Sequence, residues 1–96
     1  MSGASRRGFS ALGAYLRAQE EAGQTQVTLT FASIETTLLQ RSLPVRARSA
    51  SRHQSWWYAE ASEYHVWYGW RSVGWCVEAV DLAAETVTFA RTGGPA

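Results

Sequence analysis

Near its C-terminus the chain carries two short runs that are predicted to be β-strands, residues 75–80 and 86–91, separated by five residues. In the second run Val87 and Phe89 alternate with threonines, which is typical of a strand with one buried and one solvated side. Two such runs with a short connection predict a β-hairpin. The rest of the chain must therefore be arranged around a small antiparallel sheet.

Helices and one short strand are predicted upstream of this hairpin from the spacing of apolar residues and from cap residues. In chain order they are a helix over residues 10–22, a strand over 26–30, a helix from Phe31 to about Gln40, a helix from Pro44 to Ser51 and a helical segment between Ser62 and Gly74. Thr30 is the predicted N-cap of the second helix. Pro44 is predicted at the first position of the third, where its missing N–H costs no hydrogen bond.

This order predicts an α+β fold of winged helix-turn-helix type, with three to four helices and a small antiparallel sheet formed by the early strand and the C-terminal hairpin. Ninety-six residues, of which 46% are hydrophobic, suffice for one folded domain and one core. We place that domain at residues 9–91, after a flexible arm at 1–8 and before a disordered tail at 92–96.

Basic residues gather in one stretch ahead of a tryptophan pair. All nine basic residues of the chain are arginines, and no acidic residue lies between Thr36 and Ala59. The candidate contacts in this stretch are Arg41, Arg46, Arg48, Arg52 and His53. The planar arginine fork suits phosphates and guanine edges. Alternatively, the arginines reflect a compositional bias, or they fold back onto carboxylates such as Glu35 in structural ion pairs.

Two tryptophans, Trp56 and Trp57, follow the basic stretch directly, and two interpretations of them stay open. They either fill the gap between the third helix and the hairpin, or they form a stacking surface for an unpaired or flipped base. The aromatic stripe of the fourth segment is predicted to be core because each ring buries a large area. Its members are Tyr64, Trp67 and Tyr68, with Trp70 nearby.

A combination of apolar, aromatic and charged positions extends over residues 9–91. It comprises Leu29-Thr30-Phe31, Ile34-Glu35, Leu38, Leu43-Pro44, Ala47-Arg48, Trp56-Trp57, Trp70, Gly74-Trp75, Val80-Asp81-Leu82, Val87, Phe89 and Arg91. In this combination the chain resembles a small bacterial family of domains of unknown function. That family occurs alone or beside other modules, so the resemblance implies a recognition unit and not an enzyme. The chain departs from the usual pattern at Ser33, Arg46 and Ala59, and Arg46 adds a positive charge suited to anions.

Catalytic, metal and cofactor sites are not expected. The chain has only two histidines, His53 and His65, and a single aspartate, so no catalytic constellation is evident. Its one cysteine, Cys76, excludes an internal disulfide and gives no zinc spacing. No apolar run approaches the roughly 18 residues of a membrane span, so we expect a cytoplasmic protein without a membrane partner.

The expected function is binding of DNA, duplex or single-stranded, through the basic stretch and the tryptophan pair. The alternative is a protein-interaction module or small regulator that presents an exposed Trp/Tyr/Arg surface, since such surfaces form protein hot spots. A net charge of only +1 favours the alternative, because non-specific DNA binders usually carry more positive charge. A homodimer that uses Trp67 and Trp70 fits either interpretation.

Overall fold

The computed structural model describes residues 4–40, 42–60 and 63–92, with the side chains of these ranges apart from residues 4–8 and 64. Its helices are α1 (Ala4–Glu21), α2 (Phe31–Ser33) continued by a π-helix (Ile34–Leu39), α3 (Val45–Arg48), α4 (His53–Trp57), α5 (Tyr64–Gly69) and a 3₁₀-helix (Arg71–Val73). Its strands are β1 (Gln26–Thr30), β2 (Trp75–Asp81) and β3 (Thr86–Arg91). The α+β class predicted from the sequence is therefore confirmed.

The three strands form one antiparallel sheet in the order β1-β3-β2, so the last strand is central. Val87 and Phe89 of β3 lie opposite Leu29 and Val27 of β1, and Phe89 also lies opposite Val77 of β2. Leu29, Val77, Val87 and Phe89 are buried, which gives the sheet one face on the core. Both the predicted hairpin and its pairing with the early strand are confirmed.

Helix α1 is longer than predicted. It begins at Ala4 and not at Ser10, so the backbone of residues 4–8, which was predicted as part of a flexible arm, is helical. This stretch contains Ala4, Arg6 and Arg7, and both residue types have high helix propensity. Residues 1–3 and 93–96, the remainder of the predicted arm and most of the predicted tail, lie outside the described residues.

Helix α1 packs closely against α5 at Gly13. A Cβ atom at this position would lie 2.8 Å from the backbone oxygen of Tyr68, which is closer than a real Cβ contact. The absent side chain therefore lets the two helices approach. The α1 residues that enter the core are Phe9, Leu12 and Leu16.

The second helical segment has the predicted limits but an unexpected geometry. Thr30 is its N-cap, and the Thr30 hydroxyl accepts a hydrogen bond of 3.0 Å from the backbone N–H of Ser33. The segment then continues as a π-helix, a rare conformation, and ends at Gln40 in the left-handed region with φ of 58°. The predictions of the Thr30 cap and of an end near Gln40 are confirmed.

The prediction of a third helix over residues 44–51 is wrong in its extent. Helix α3 has only four residues, Pro44 precedes it as an extended residue, and Ser49 ends it in an extended conformation. A further helix, α4, begins at His53 and was not predicted.

A tertiary hydrogen bond explains the early end of α3. The indole Nε1 of Trp57 donates to the carbonyl oxygen of Ala47 at 2.9 Å, and this carbonyl would accept from residue 51 if the helix continued. Because α3 ends at Arg48, Arg48 and Arg52 do not lie on one face of a single helix.

The core is aromatic and is centred between the helices and the sheet. Its largest fully buried side chains are Trp57, Trp70, Trp75, Phe31 and Phe89. Trp67 is 47% exposed, so the stripe predicted as core turns toward solvent at this position. The inward face of α5 is formed instead by Val66, with Trp70 following the helix. Within the described ranges, no helix has the length and apolar character to cross a membrane.

Candidate nucleic-acid interface

The Arg48 guanidinium is held by three groups of the protein. Its Nη2 lies 2.9 Å from Oε1 of Glu35, and its Nη1 lies 3.1 Å from Oε2 of Glu85. The guanidinium carbon also lies 5.1 Å from the ring centroid of Phe31, within cation–π range. The hydrogen bond to Glu35 is the largest cause that raises the Arg48 pKa above its usual range. Arg48 thus joins α3 to the π-helix and to the β2–β3 turn.

Glu35 anchors the other side of this network. One of its carboxylate oxygens accepts a hydrogen bond of 2.7 Å from the backbone N–H of Leu43, and the other pairs with Arg48. The Leu43 bond is the main cause that lowers the Glu35 pKa, and Arg48 lowers it further against the opposing effect of burial. We term Glu35, Arg48 and Glu85 the Arg48 network.

Within the described part of this stretch, the side chains of Arg46 and Arg52 are exposed. Neither forms an ion pair with a described residue. Arg46 lies in α3, whereas Arg52 lies at the start of α4, where its carbonyl accepts a hydrogen bond from the Ser55 hydroxyl at 2.9 Å. Arg41, the remaining predicted contact, lies outside the described residues.

His53 is half-buried at the start of α4. Its Nδ1 lies 2.9 Å from the carbonyl oxygen of Ser49. A carbonyl can only accept, so Nδ1 carries the hydrogen and Nε2 is the acceptor nitrogen of the neutral ring. This bond ties the His53 ring to Ser49, the residue that ends α3.

Trp56 and Trp57 lie in the core, with 5% and 1% of their surface exposed. Trp57 stacks between Phe31 and Trp70, at centroid distances of 5.7 and 5.8 Å. Trp56 stacks on the ring of His65 at 4.1 Å and an interplanar angle of 13°. Trp57 also contacts Ala47 of α3 and Phe89 of the hairpin and so fills the gap between them, whereas Trp56 packs against Phe9 of α1 and His65 of α5. Neither ring therefore offers an open platform to a base.

His65 supports Trp56 from α5. Its Nε2 lies 2.7 Å from the Trp56 carbonyl oxygen and therefore carries the hydrogen. Burial is the main cause that lowers the His65 pKa, so the ring is neutral at neutral pH. Among the described residues, no set of three metal-ligating side chains comes together, at either histidine or elsewhere.

The stretch from Val45 to Ser55 also exposes side chains that sequence reasoning did not select. Gln54 is exposed in α4, next to the exposed Arg52, and Ser51 is exposed in the preceding turn. The signal that could have identified them is the helix start at His53. Since that start has Arg52 at its N-cap and no side-chain cap bond, the usual sequence signal of a helix start is missing there.

Comparison with known proteins gives a family but no characterised relative. No match to this chain was found among curated proteins or among solved structures. One family model, described as "Domain of unknown function (DUF7662)", matches residues 9–93. This range nearly coincides with the pattern noted in the sequence, and the expectation of a family of unknown function is confirmed. The chain belongs to this family of domains of unknown function, DUF7662.

Proposed function

We propose that this chain is a cytoplasmic DNA-binding module of winged-helix type. The observation that carries the proposal is the order of the elements. Helix α1 and the edge strand β1 are followed by the segment of α2 and the π-helix, by α3, α4, α5 and the 3₁₀-helix, and then by a hairpin whose last strand inserts between the other two. A helix, a strand, a group of helices and a hairpin are the elements from which a winged helix builds a recognition segment and a wing, and this likeness supports the proposal.

The contact surface that we propose is the exposed part of α3 and α4. Arg46 and Arg52 would contact phosphates, because their guanidinium groups are not paired with any described residue. Gln54 would reach a base edge, since a glutamine amide can pair with adenine through two hydrogen bonds. His53 would add an auxiliary contact through Nε2.

Arg48 has a different role in this proposal from the one expected from the sequence. Its guanidinium is engaged by Glu35 and Glu85, so it would position the surface and not contact DNA. Glu85 lies in the turn that would form the wing. The Arg48 network would thus fix the wing relative to Arg46 and Arg52.

The test is a fluorescence-anisotropy titration of labelled duplex and single-stranded DNA at low salt. We expect Arg46→Gln and Arg52→Gln each to weaken duplex binding about fivefold, the value of one phosphate contact of about 1 kcal/mol. Because Trp56 and Trp57 are enclosed, single strands should bind no more tightly than duplex. The matched control is Arg17→Gln, which removes an exposed arginine of α1.

Two results of this titration would overturn the proposal. One is the absence of binding to either form of DNA at low salt. The other is an equal loss of affinity in the Arg17→Gln control, which would mean that bulk charge and not this surface determines binding.

The second candidate function is a protein-interaction module, and the exposed apolar side chains favour it. Val45 is 85% exposed, Tyr58 49% and Trp67 47%, although side chains of this kind are usually covered. A homodimer through Trp67 belongs to this alternative, whereas Trp70 is buried and would not contribute. Sedimentation velocity would test it, since a dimer that dissociates in Trp67→Ala supports the alternative and a monomer at all concentrations contradicts the homodimer.

A further inference from the structure

A cavity of about 400 Å³ lies beside α4 and α5, and we term it the Arg46 cavity. Its lining residues are Arg46, Ser55, Trp56, Ala59, Glu60, Glu63 and His65. The volume falls in the range of roughly 300–1,000 Å³ that is typical of small-molecule sites. Three of the lining residues, Arg46, Glu60 and Glu63, are charged, so the cavity suits a charged ligand.

The Arg46 cavity is lined by charges of both signs. Arg46 supplies one positive charge, and Glu60 and Glu63 supply two negative charges. The Glu63 N–H donates a hydrogen bond of 3.0 Å to the Glu60 carbonyl, which holds these two residues close together. His65 is neutral and adds no charge, so the cavity carries a net charge of −1.

The charged side chains of the cavity, Arg46, Glu60 and Glu63, form no ion pair within the described part of the chain. Because these side chains have no ion-pair partner among the described residues, a ligand can pair with them without breaking an existing ion pair. Ser55 and Ala59 complete the wall with a hydroxyl and a methyl group.

A second cavity gives an internal comparison. It has the same volume, about 400 Å³, and it is lined by Arg17, Glu20, Glu21, Ser72 and Val73. Its charges have the same signs and number, but Glu20 is already paired with Arg91 at 3.1 Å. This cavity, termed the Arg17 cavity, therefore lacks the unpaired set of three charges.

We propose that the Arg46 cavity binds a free basic amino acid of the arginine or lysine type. Such a molecule carries two cationic groups and one carboxylate, which complement Glu60, Glu63 and Arg46 charge for charge. A neutral amino acid would leave one carboxylate of the cavity unpaired. A simple polyamine or guanidinium compound would leave Arg46 unpaired. The proposal is independent of DNA binding and does not need it to hold.

The test is isothermal titration calorimetry of the full chain with L-arginine and L-lysine. Two analogues of L-arginine serve as probes, agmatine, which lacks the carboxylate, and L-citrulline, which lacks the side-chain charge. We expect saturable binding of L-arginine or L-lysine in the millimolar range or tighter. Each analogue should bind about two- to fivefold more weakly than L-arginine, because one exposed ion pair is lost.

Variants assign the binding to this cavity. Arg46→Gln should weaken binding of L-arginine, which loses the partner of its carboxylate, and should not weaken binding of agmatine, for which a repulsive positive charge is removed. Glu63→Gln should weaken both ligands. Arg17→Gln and Glu21→Gln, which alter the Arg17 cavity, should change neither, and circular dichroism would verify that every variant is folded.

Two outcomes would overturn the proposal. One is the absence of saturable heat with both L-arginine and L-lysine. The other is an equal affinity for L-arginine, agmatine and L-citrulline, which would show that the three charges do not act together. Neither outcome affects the DNA titration, in which Arg52→Gln reports on a residue outside the cavity.

Discussion

At the scale of single residues, the arginines of the basic stretch divide into two groups by their surroundings. Arg48 is engaged by Glu35, Glu85 and the ring of Phe31. Arg46 and Arg52 are exposed. The same side chain thus contributes either to the stability of the fold or to its surface, according to whether carboxylates lie within reach.

Replacing Arg48 with methionine tests this division. The change removes two partly exposed ion pairs and one cation–π contact, so we expect the free energy of unfolding to fall by about 1–2 kcal/mol. Arg52→Met, which removes an arginine without ion pairs to described residues, should change it by less than about 0.5 kcal/mol. The urea midpoint of unfolding measures both. A loss of equal size in the two variants would contradict the assigned role of Arg48.

Sequence patterns predicted the location of the basic stretch but not the role of each arginine. The partners of Arg48, Glu35 and Glu85, belong to other elements, the π-helix and the β2–β3 turn. The choice between an ion pair and an exposed contact depends on how these elements pack. For the same reason the sequence left Trp56 and Trp57 with two interpretations, which their burial decides in favour of core packing.

At the scale of elements, the sheet was the most predictable part of the fold. Strands β1 and β3 are defined by alternation within five and six residues, and this signal is local, whereas β2 changes register between Val77 and Ala79. Helix α3 was the least predictable, because its end is fixed by the indole of Trp57. The π-helix was likewise unforeseen, since its residues show ordinary helical spacing.

The contact between α1 and α5 leads to a prediction at Gly13. Helix propensity alone favours Gly13→Ala by about 1 kcal/mol. The added methyl group would meet the Tyr68 carbonyl at 2.8 Å, so the helices must separate. We therefore expect a net destabilisation of about 1–3 kcal/mol, as in other overpacked sites.

Thermal denaturation followed by circular dichroism would measure this effect. The control is Ala18→Gly on the exposed side of the same helix, which should cost about 1 kcal/mol from propensity alone. An unchanged or higher melting temperature for Gly13→Ala would mean that α1 and α5 are further apart than described.

At the scale of the whole molecule, charge distribution matters more than net charge. The formal net charge is +1, so the chain as a whole attracts nucleic acid weakly. The proposed surface places Arg46 on α3 and Arg52 at the start of α4, whereas Arg48 pairs with both Glu35 and Glu85 and leaves that network with a net charge of −1. DNA binding should accordingly be of modest affinity and should involve few phosphates.

The measurement that tests the central claim most directly is the dependence of duplex DNA affinity on salt concentration. If Arg46 and Arg52 neutralise two phosphates, the slope of log K against log salt should be about −2. We expect Arg52→Gln to reduce this slope by about 1. A slope near zero, or no binding at low salt, would contradict DNA recognition by this surface.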